Sequence, residues 1–352
     1  MIGFVTRRLG YGFLVLMGVA LVVFFLFHAL PGDPVSMMAG QRTDVATREA
    51  IASDLGLDKP LPEQLVQYLN DISPISFHAN TEASREKYEF TAGLPIGDNV
   101  LVIKKPYLRR SFQTNRRVSE ILAENMESTF WLATAAMLIA TFFGVLFGVL
   151  AAVKQNTWLD HTLVAGSVLG ISIPSFVSAI IMAMVFGYYL SDYTGLNITG
   201  QLWVNHPIYG RTLHIENLIL PAITLGLRPL AIITQLTRSS MLEVLGQDYI
   251  RTAQAKGVRY AKVVAKHALK NALNPVLTAV SGWLASLMAG AFFVELIFDW
   301  KGLGFVTLKA VQSLDFPVVM GSTLFIAAIF VIINLVVDVL YAALDPRVRL
   351  AT

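Results

Sequence analysis

The chain is a succession of long apolar runs separated by short polar stretches. A helix needs roughly 20 apolar residues to cross the hydrocarbon of a bilayer. Residues 9–30 form one such run, with His28 near its end. Residues 130–153 and 162–190 carry no charge, and 217–237 carry only Arg228. Runs at 275–294 and 316–337 complete a set of six. This pattern predicts an all-α membrane protein with six transmembrane helices and both termini on one side. Its parts are an N-terminal span (1–30), an α-rich segment (31–127), a five-helix core (128–345) and a short tail (346–352).

Basic residues in the short loops orient such a bundle. One side holds Arg7, Arg8, Lys154, Arg238, Arg251, Lys256, Arg259, Lys262, Lys266, Lys270, Arg347 and Arg349; the other holds Arg211, Lys301 and Lys309. Twelve against three places both termini in the cytoplasm. Segment 31–127, with eleven basic and fourteen acidic residues, is long enough to translocate regardless of charge. A cleaved signal peptide fits poorly, because the first apolar run exceeds the usual h-region and His28-Ala29-Leu30-Pro31 is a poor cleavage site.

Inside the spans, polar and helix-breaking residues mark a path or a packing seam. Gly144/Gly148 and Gly166/Gly170 are GxxxG pairs, which either let helix backbones approach closely or reflect the glycine content of membrane helices. Pro174, between Ser172 and Ser175, predicts a kink or partial unwinding, either structural or lining a cavity. Arg228, before Pro229, is a mid-span charge that costs at least roughly 2.5–3.5 kcal/mol unless it faces water or a partner. It either lines a translocation path, where it would attract a carboxylate, or snorkels to an interface, or pairs with Glu295. Candidate path residues are Ser172, Pro174, Arg228, Gln235, Ser281 and Ser286.

The 239–274 loop is the longest predicted cytoplasmic segment. Asp248 opens a short helix, Tyr249, Thr252, Ala253 and Lys256 recur at helical spacing, and Gly257 stops it. A second basic amphipathic stretch, 260–272, leads back to the membrane. The pattern suits a helix held out for a partner, and equally a helix lying on anionic lipid. In segment 31–127, residues 44–71 and 109–127 read as charged helices, and 81–105 is polar and punctuated by Gly and Pro.

Composition agrees with the span pattern: 55% of residues are hydrophobic and 14% charged, against about 25% charged in soluble proteins. There is no cysteine, hence no disulfide or thiolate metal site. A net charge of +3 is too small to imply nucleic acid.

The loop string Asp248-Tyr249-Ile250-Arg251-Thr252-Ala253-Gln254-Ala255-Lys256-Gly257, with His267-Ala268-Leu269-Lys270-Asn271-Ala272-Leu273 after it, closely resembles the coupling loop of permease subunits in bacterial binding-protein-dependent ABC importers, dipeptide/oligopeptide/nickel branch. So do Leu30-Pro31-Gly32-Asp33-Pro34, residues 56–62, residues 295–304 and Asp345-Pro346-Arg347-Val348-Arg349. The broader family has Glu-Ala-Ala where Arg251, Thr252 and Ala253 stand, and a Leu-Pro where Leu269-Lys270 stands. Both departures suit the peptide branch. Relative to that family, residues 71–106 look inserted, either to help dock a binding protein or as a passive cap.

The resemblance implies a type I ABC importer fold in the bacterial inner membrane. It makes Asp248, Tyr249, Arg251, Thr252, Ala253, Ala255, Lys256 and Gly257 a coupling helix seated on an ATP-binding subunit. It implies as partners of this chain a second permease, two ATP-binding subunits that hold ATP and magnesium, an extracytoplasmic solute-binding protein, and the membrane lipid around the spans. The chain has no GxxxxGK[ST] phosphate loop, so it is expected neither to hydrolyse ATP nor to bind a cofactor. An ion-coupled secondary transporter would need paired intramembrane acids; only Glu295 and Asp338, near span ends, are present. A membrane enzyme lacks support, since the histidines are scattered and form no HExxH. An ABC exporter would carry longer cytoplasmic helical extensions or a fused ATPase.

Overall fold

Among the described residues, four helices are long and apolar enough to span a bilayer: Thr6–His28, Val118–Val153, Glu216–Leu245 and Phe316–Val339. A bent pair, Trp158–Ser172 and Ser175–Tyr189, makes five if counted as one span. The computed structural model describes residues 2–29, 52, 56–91, 93–97 and 99–344. The strings at 30–34 and 345–349, the tail 346–352 and the first part of the expected 44–71 helix lie outside the described residues. The chain divides into two compact units, one built from 125–306 and 329 onward, the other from 2–124 and 307–328.

The expected span at 275–294 takes a different form. Its helix runs Leu269–Met288, and the chain then breaks at Gly290, where φ is +100°. A short helix, Phe292–Ile297, follows. The third expected span breaks as Pro174 predicts. Proline has no N–H and disfavours helical backbone in the residue before it, and Ile173 is extended at ψ 128°. The two half-helices are bent by 108°, more a corner than a kink.

In the 125–306 unit, glycines set how closely helices approach. A Cβ on Gly144 would lie 2.8 Å from Ile233 Cγ2, and one on Gly148 2.5 Å from Thr237 Cβ. Gly226 likewise abuts the Ala136 carbonyl. The first GxxxG pair is therefore a packing seam against Glu216–Leu245. In the second, Gly170 approaches the Leu227 carbonyl, but nothing stands within 4 Å of Gly166. At one end of this seam Arg238 grips Asp160 through Nε–Oδ1 at 2.6 Å and Nη2–Oδ2 at 2.7 Å. The same carboxylate accepts the Asn156 N–H, closing the turn before Trp158–Ser172.

Glu295, fully buried, ties the far side together. Its Oε2 accepts the Phe305 N–H at 2.8 Å and its Oε1 the Thr129 hydroxyl at 3.1 Å. Thr129 in turn accepts the Leu303 N–H at 2.8 Å. The first N–H groups of helix Leu303–Gln312, which have no intrahelical acceptors, are thus satisfied by side chains. A Cβ on Gly302 or Gly304 would press on this carboxylate. Buried Trp300 donates Nε1–H to the Ser128 carbonyl at 3.0 Å. A small hairpin, Trp203–His206 (β4) with Gly210–Leu213 (β5), stands between the bent pair and Glu216–Leu245 in sequence.

In the 2–124 unit, helix Ile2–Ala29 meets helix Leu61–Ile72 through His28 Nε2 and Gln64 Oε1, 2.8 Å apart, and through Phe24 stacked on Tyr68. The α-rich expectation for 31–127 omits a sheet that the described residues contain. Ile75–Ala79 (β1), Leu94–Ile96 (β2) and Asn99–Ile103 (β3) form an antiparallel sheet in the order β1-β3-β2. Among the described residues between β1 and β2, Glu82–Tyr88 is helical. Buried Asp71 accepts the Tyr88 hydroxyl at 2.9 Å, and Lys104 Nζ donates to the Asp71 carbonyl at 2.5 Å. Residues 109–117 are also not helical. Arg109 and Asn115 have positive φ, and Asp315 holds the turn by accepting the Ser111 hydroxyl and the Phe112 N–H. The helix starts at Val118 and runs unbroken to Val153.

The glycine contacts predict an asymmetry. In the isolated protein in detergent, Gly148→Val overpacks the seam and should cost about 1–3 kcal/mol, while Gly166→Val should change thermal stability little. Equal effects of the two substitutions would contradict the packing assigned here.

Candidate functional site

Two features of the 125–306 unit carry the candidate residues: a cavity where helices break, and a short helix at the end of the seam.

The cavity, of about 210 Å³, is lined by Gly170, Ile173, Ser175 and Ser178 around the Pro174 corner. Thr224, Leu225, Leu227 and Arg228 line it from Glu216–Leu245. Trp283, Ser286 and residues 290–294 close it at the Gly290 break. Irregular backbone at membrane depth is tolerated only where protein or a water-filled space satisfies it, and here the two breaks face one space. Of the path residues expected from sequence, Arg228 and Ser286 line this cavity; Ser172, Pro174, Gln235 and Ser281 do not. Ser172 and Ser281 instead donate their hydroxyls to carbonyls one turn back, Val168 and Leu277. Ser178 and Thr224, not singled out from sequence, line it as well. Both are hydroxyls a few residues from the Pro174 and Arg228 landmarks, which is the signal that could have found them.

Arg228 does not pair with Glu295, whose two oxygens are engaged as described. Among the described residues the exposed guanidinium has no hydrogen-bond or ion-pair partner.

The short helix is Asp248–Ala255. Gln247 occupies its N-cap position without a side-chain bond, so Asp248 belongs to the first turn and is not the cap. It lies 3.6 Å from Arg251, an exposed pair one turn apart. The end is built by hydrogen bonds from Gly257 N–H to the Gln254 carbonyl and from Val258 N–H to the Ala253 carbonyl. That is a Schellman closure, with Gly257 in the left-handed region at φ +76°.

The helix is keyed into the protein by one residue. Ile250, fully buried, packs with Met241, Val263, Ala268, Ala272 and Ala152. Ala253 and Val258 lean on the same cluster. Tyr249 is tied back as well, its hydroxyl accepting from Asn271 Nδ2 at 2.8 Å. The outward face is therefore Asp248, Arg251, Thr252, Ala255 and Lys256, all exposed, and Ala253 faces inward. The expected second amphipathic helix is Tyr260–Lys262, a π-helical turn over Val263–Ala268 and the start of Leu269–Met288. Lys262, Lys266 and Lys270 are exposed opposite buried Val263, Ala268 and Ala272.

Comparison with known proteins decides the family. The family described as the binding-protein-dependent transport system inner membrane component matches residues 144–350, and its N-terminal companion matches residues 1–83. The chain belongs to this family. The dipeptide transport system permease protein of Escherichia coli K12 is 36% identical to it, over 99% of both chains. The di/tripeptide permease of Pseudomonas aeruginosa is also 36% identical over 99% of each, and the glutathione transport system permease of Pectobacterium atrosepticum 34% over 98%. An inward-facing structure of the methionine ABC transporter MetNI matches with a TM-score of 0.50 at 18% identity, covering 64% of this chain and 97% of that one. That likeness speaks for the fold alone. The protein is thus a multi-pass permease component of an inner-membrane ABC importer, a family of membrane components that are not themselves catalytic.

In this permease the helix closure should be sensitive at one glycine. Nothing stands within 4 Å of a Cβ on Gly257, so Gly257→Ala suffers only its left-handed backbone, about 1–2 kcal/mol. Gly246, at φ −78°, carries no such strain. Hydrogen exchange over 248–257 should accelerate about tenfold in Gly257→Ala and stay near wild type in Gly246→Ala; the same response in both would contradict the closure.

Proposed function

We propose that this permease carries short peptides or related small solutes inward across the cytoplasmic membrane, with six spans and both termini in the cytoplasm. In this reading it pairs with a second permease and with two ATP-binding subunits, which hold ATP and magnesium. An extracytoplasmic binding protein delivers the solute. Dipeptides, tripeptides and glutathione, the solutes in the relatives' names, all carry a free carboxylate. The segment around the β1-β3-β2 sheet lies on the delivery side.

The observation that carries the proposal is mechanical. Asp248–Ala255 presents an exposed polar face, yet Ile250 locks it to Met241 on Glu216–Leu245, the helix that also carries Arg228. A push on the short helix by a closing pair of ATP-binding subunits is thereby delivered to the element lining the cavity. Coupling between distant sites needs such a rigid element biased at both ends. The contact face is Arg251, Thr252 and Ala255.

The proposal is tested in the reconstituted complex with all partners present. Thr252→Trp adds bulk on the exposed face without touching the Ile250 cluster. Binding-protein-stimulated ATP hydrolysis should fall at least tenfold at unchanged thermal stability of the permease. Full stimulation in that variant would remove the short helix from the coupling role.

A further inference from the structure

Arg228 stands twelve residues into the thirty-residue helix Glu216–Leu245, about 18 Å along its axis at 1.5 Å per residue. That depth is near the middle of a hydrocarbon layer roughly 30 Å thick. A guanidinium there faces water or a counter-charge, and among the described residues none supplies a counter-charge. Glu295 is consumed by Thr129 and Phe305. Asp160 is consumed by Arg238, and Glu216 by His214. No carboxylate lines the cavity, whereas four hydroxyls do: Ser175, Ser178, Thr224 and Ser286. The space thus offers one fixed positive charge and several small hydrogen-bonding groups, the complement of an anion with two acceptor oxygens. Guanidinium presents a planar fork that matches a carboxylate in two parallel bonds.

We propose that Arg228 is the point at which the permease itself recognises a free carboxylate on the transported solute. The inference rests on the importer reading above and adds selectivity inside the membrane to whatever the binding protein selects. A solute carboxylate entering the cavity supplies the missing counter-charge, and the hydroxyls orient it. The interaction has to be transient, because a path residue that held its anion too well would not release it.

The chain has no native cysteine, so a single thiol at this position can be given either charge. The full complex with its binding protein is reconstituted in vesicles, and ATP-dependent uptake of a radiolabelled dipeptide is measured for wild type and Arg228→Cys. The variant is assayed untreated, after a cationic trimethylammonium-ethyl thiosulfonate, and after an anionic sulfonatoethyl thiosulfonate. Uptake should fall at least tenfold in the untreated variant, recover at least threefold with the cationic adduct, and stay low with the anionic one. Arg228→Lys should retain more uptake than Arg228→Gln. Equal effects of the two adducts would overturn the inference. So would an introduced thiol unreactive to both reagents, which would face lipid or packed protein, or wild-type uptake by Arg228→Gln. Loss of the second permease on purification of Arg228→Gln would make Arg228 a subunit contact and overturn it too. Each of these leaves the importer reading standing, whereas a wild-type complex without ATP-dependent dipeptide uptake overturns that reading and this inference together.

Discussion

Glu295 is the group on which the cavity's geometry depends. A buried carboxylate survives only if its oxygens are used, and here they bind the Thr129 hydroxyl and the Phe305 N–H. The Ala291 N–H also points at Oε1, at 3.4 Å. One side chain thereby fixes the start of helix Leu303–Gln312, the adjoining part of Val118–Val153 and the chain just after the Gly290 break. Residues 290–294 form one wall of the cavity, so its shape is set by a hydrogen-bonded anchor and not by apolar packing alone. The glycines at 302 and 304 belong to the same device, because their missing side chains leave room for the carboxylate.

That anchor also explains why the acid is unsuited to ion coupling. Its lone pairs are spent on fixed donors, and the guanidinium at 228 has no ion-pair partner among the described residues. The bundle is further tied by the Arg238–Asp160 pair, which joins Trp158–Ser172 to Glu216–Leu245 between the cavity and the short helix. The Glu216–Leu245 helix thus carries three things in order: the cavity lining at Thr224–Arg228, the ion pair at Arg238 and the Ile250 cluster at Met241.

Much of this was legible in the chain. Runs of uncharged residues mark the long helices, because lipid tolerates little else. Pro174 announced its break, and Gly257 its helix end, through backbone rules that do not depend on tertiary context. The 275–294 run falls mostly on Leu269–Met288, and its end differs because hydrophobicity does not register the Gly290 turn, where the backbone of Gly304 comes so close that a Cβ on Gly290 would lie 3.0 Å from its nitrogen. The small sheet was hidden by an inverted alternation: Ile75 and Phe77 point outward while Ser76 and His78 are buried. The inward Ile250 was equally invisible, since its partners Val263, Ala268 and Ala272 lie on a different helical stretch. Among the described residues, length and composition pick out four helices, or five with the bent pair as one, and the remaining apolar run falls on Leu269–Met288.

In the proposed mechanism the short helix and the cavity move as one because Ile250 is locked into the Met241 cluster. The direct measurement is the number of solute molecules imported per ATP hydrolysed by the reconstituted complex carrying Ile250→Ala. Hydrolysis should continue while uptake per ATP falls at least fivefold, since the push reaches a loosened joint. An unchanged ratio, in a variant whose helix is shown by hydrogen exchange to be loosened, would contradict it.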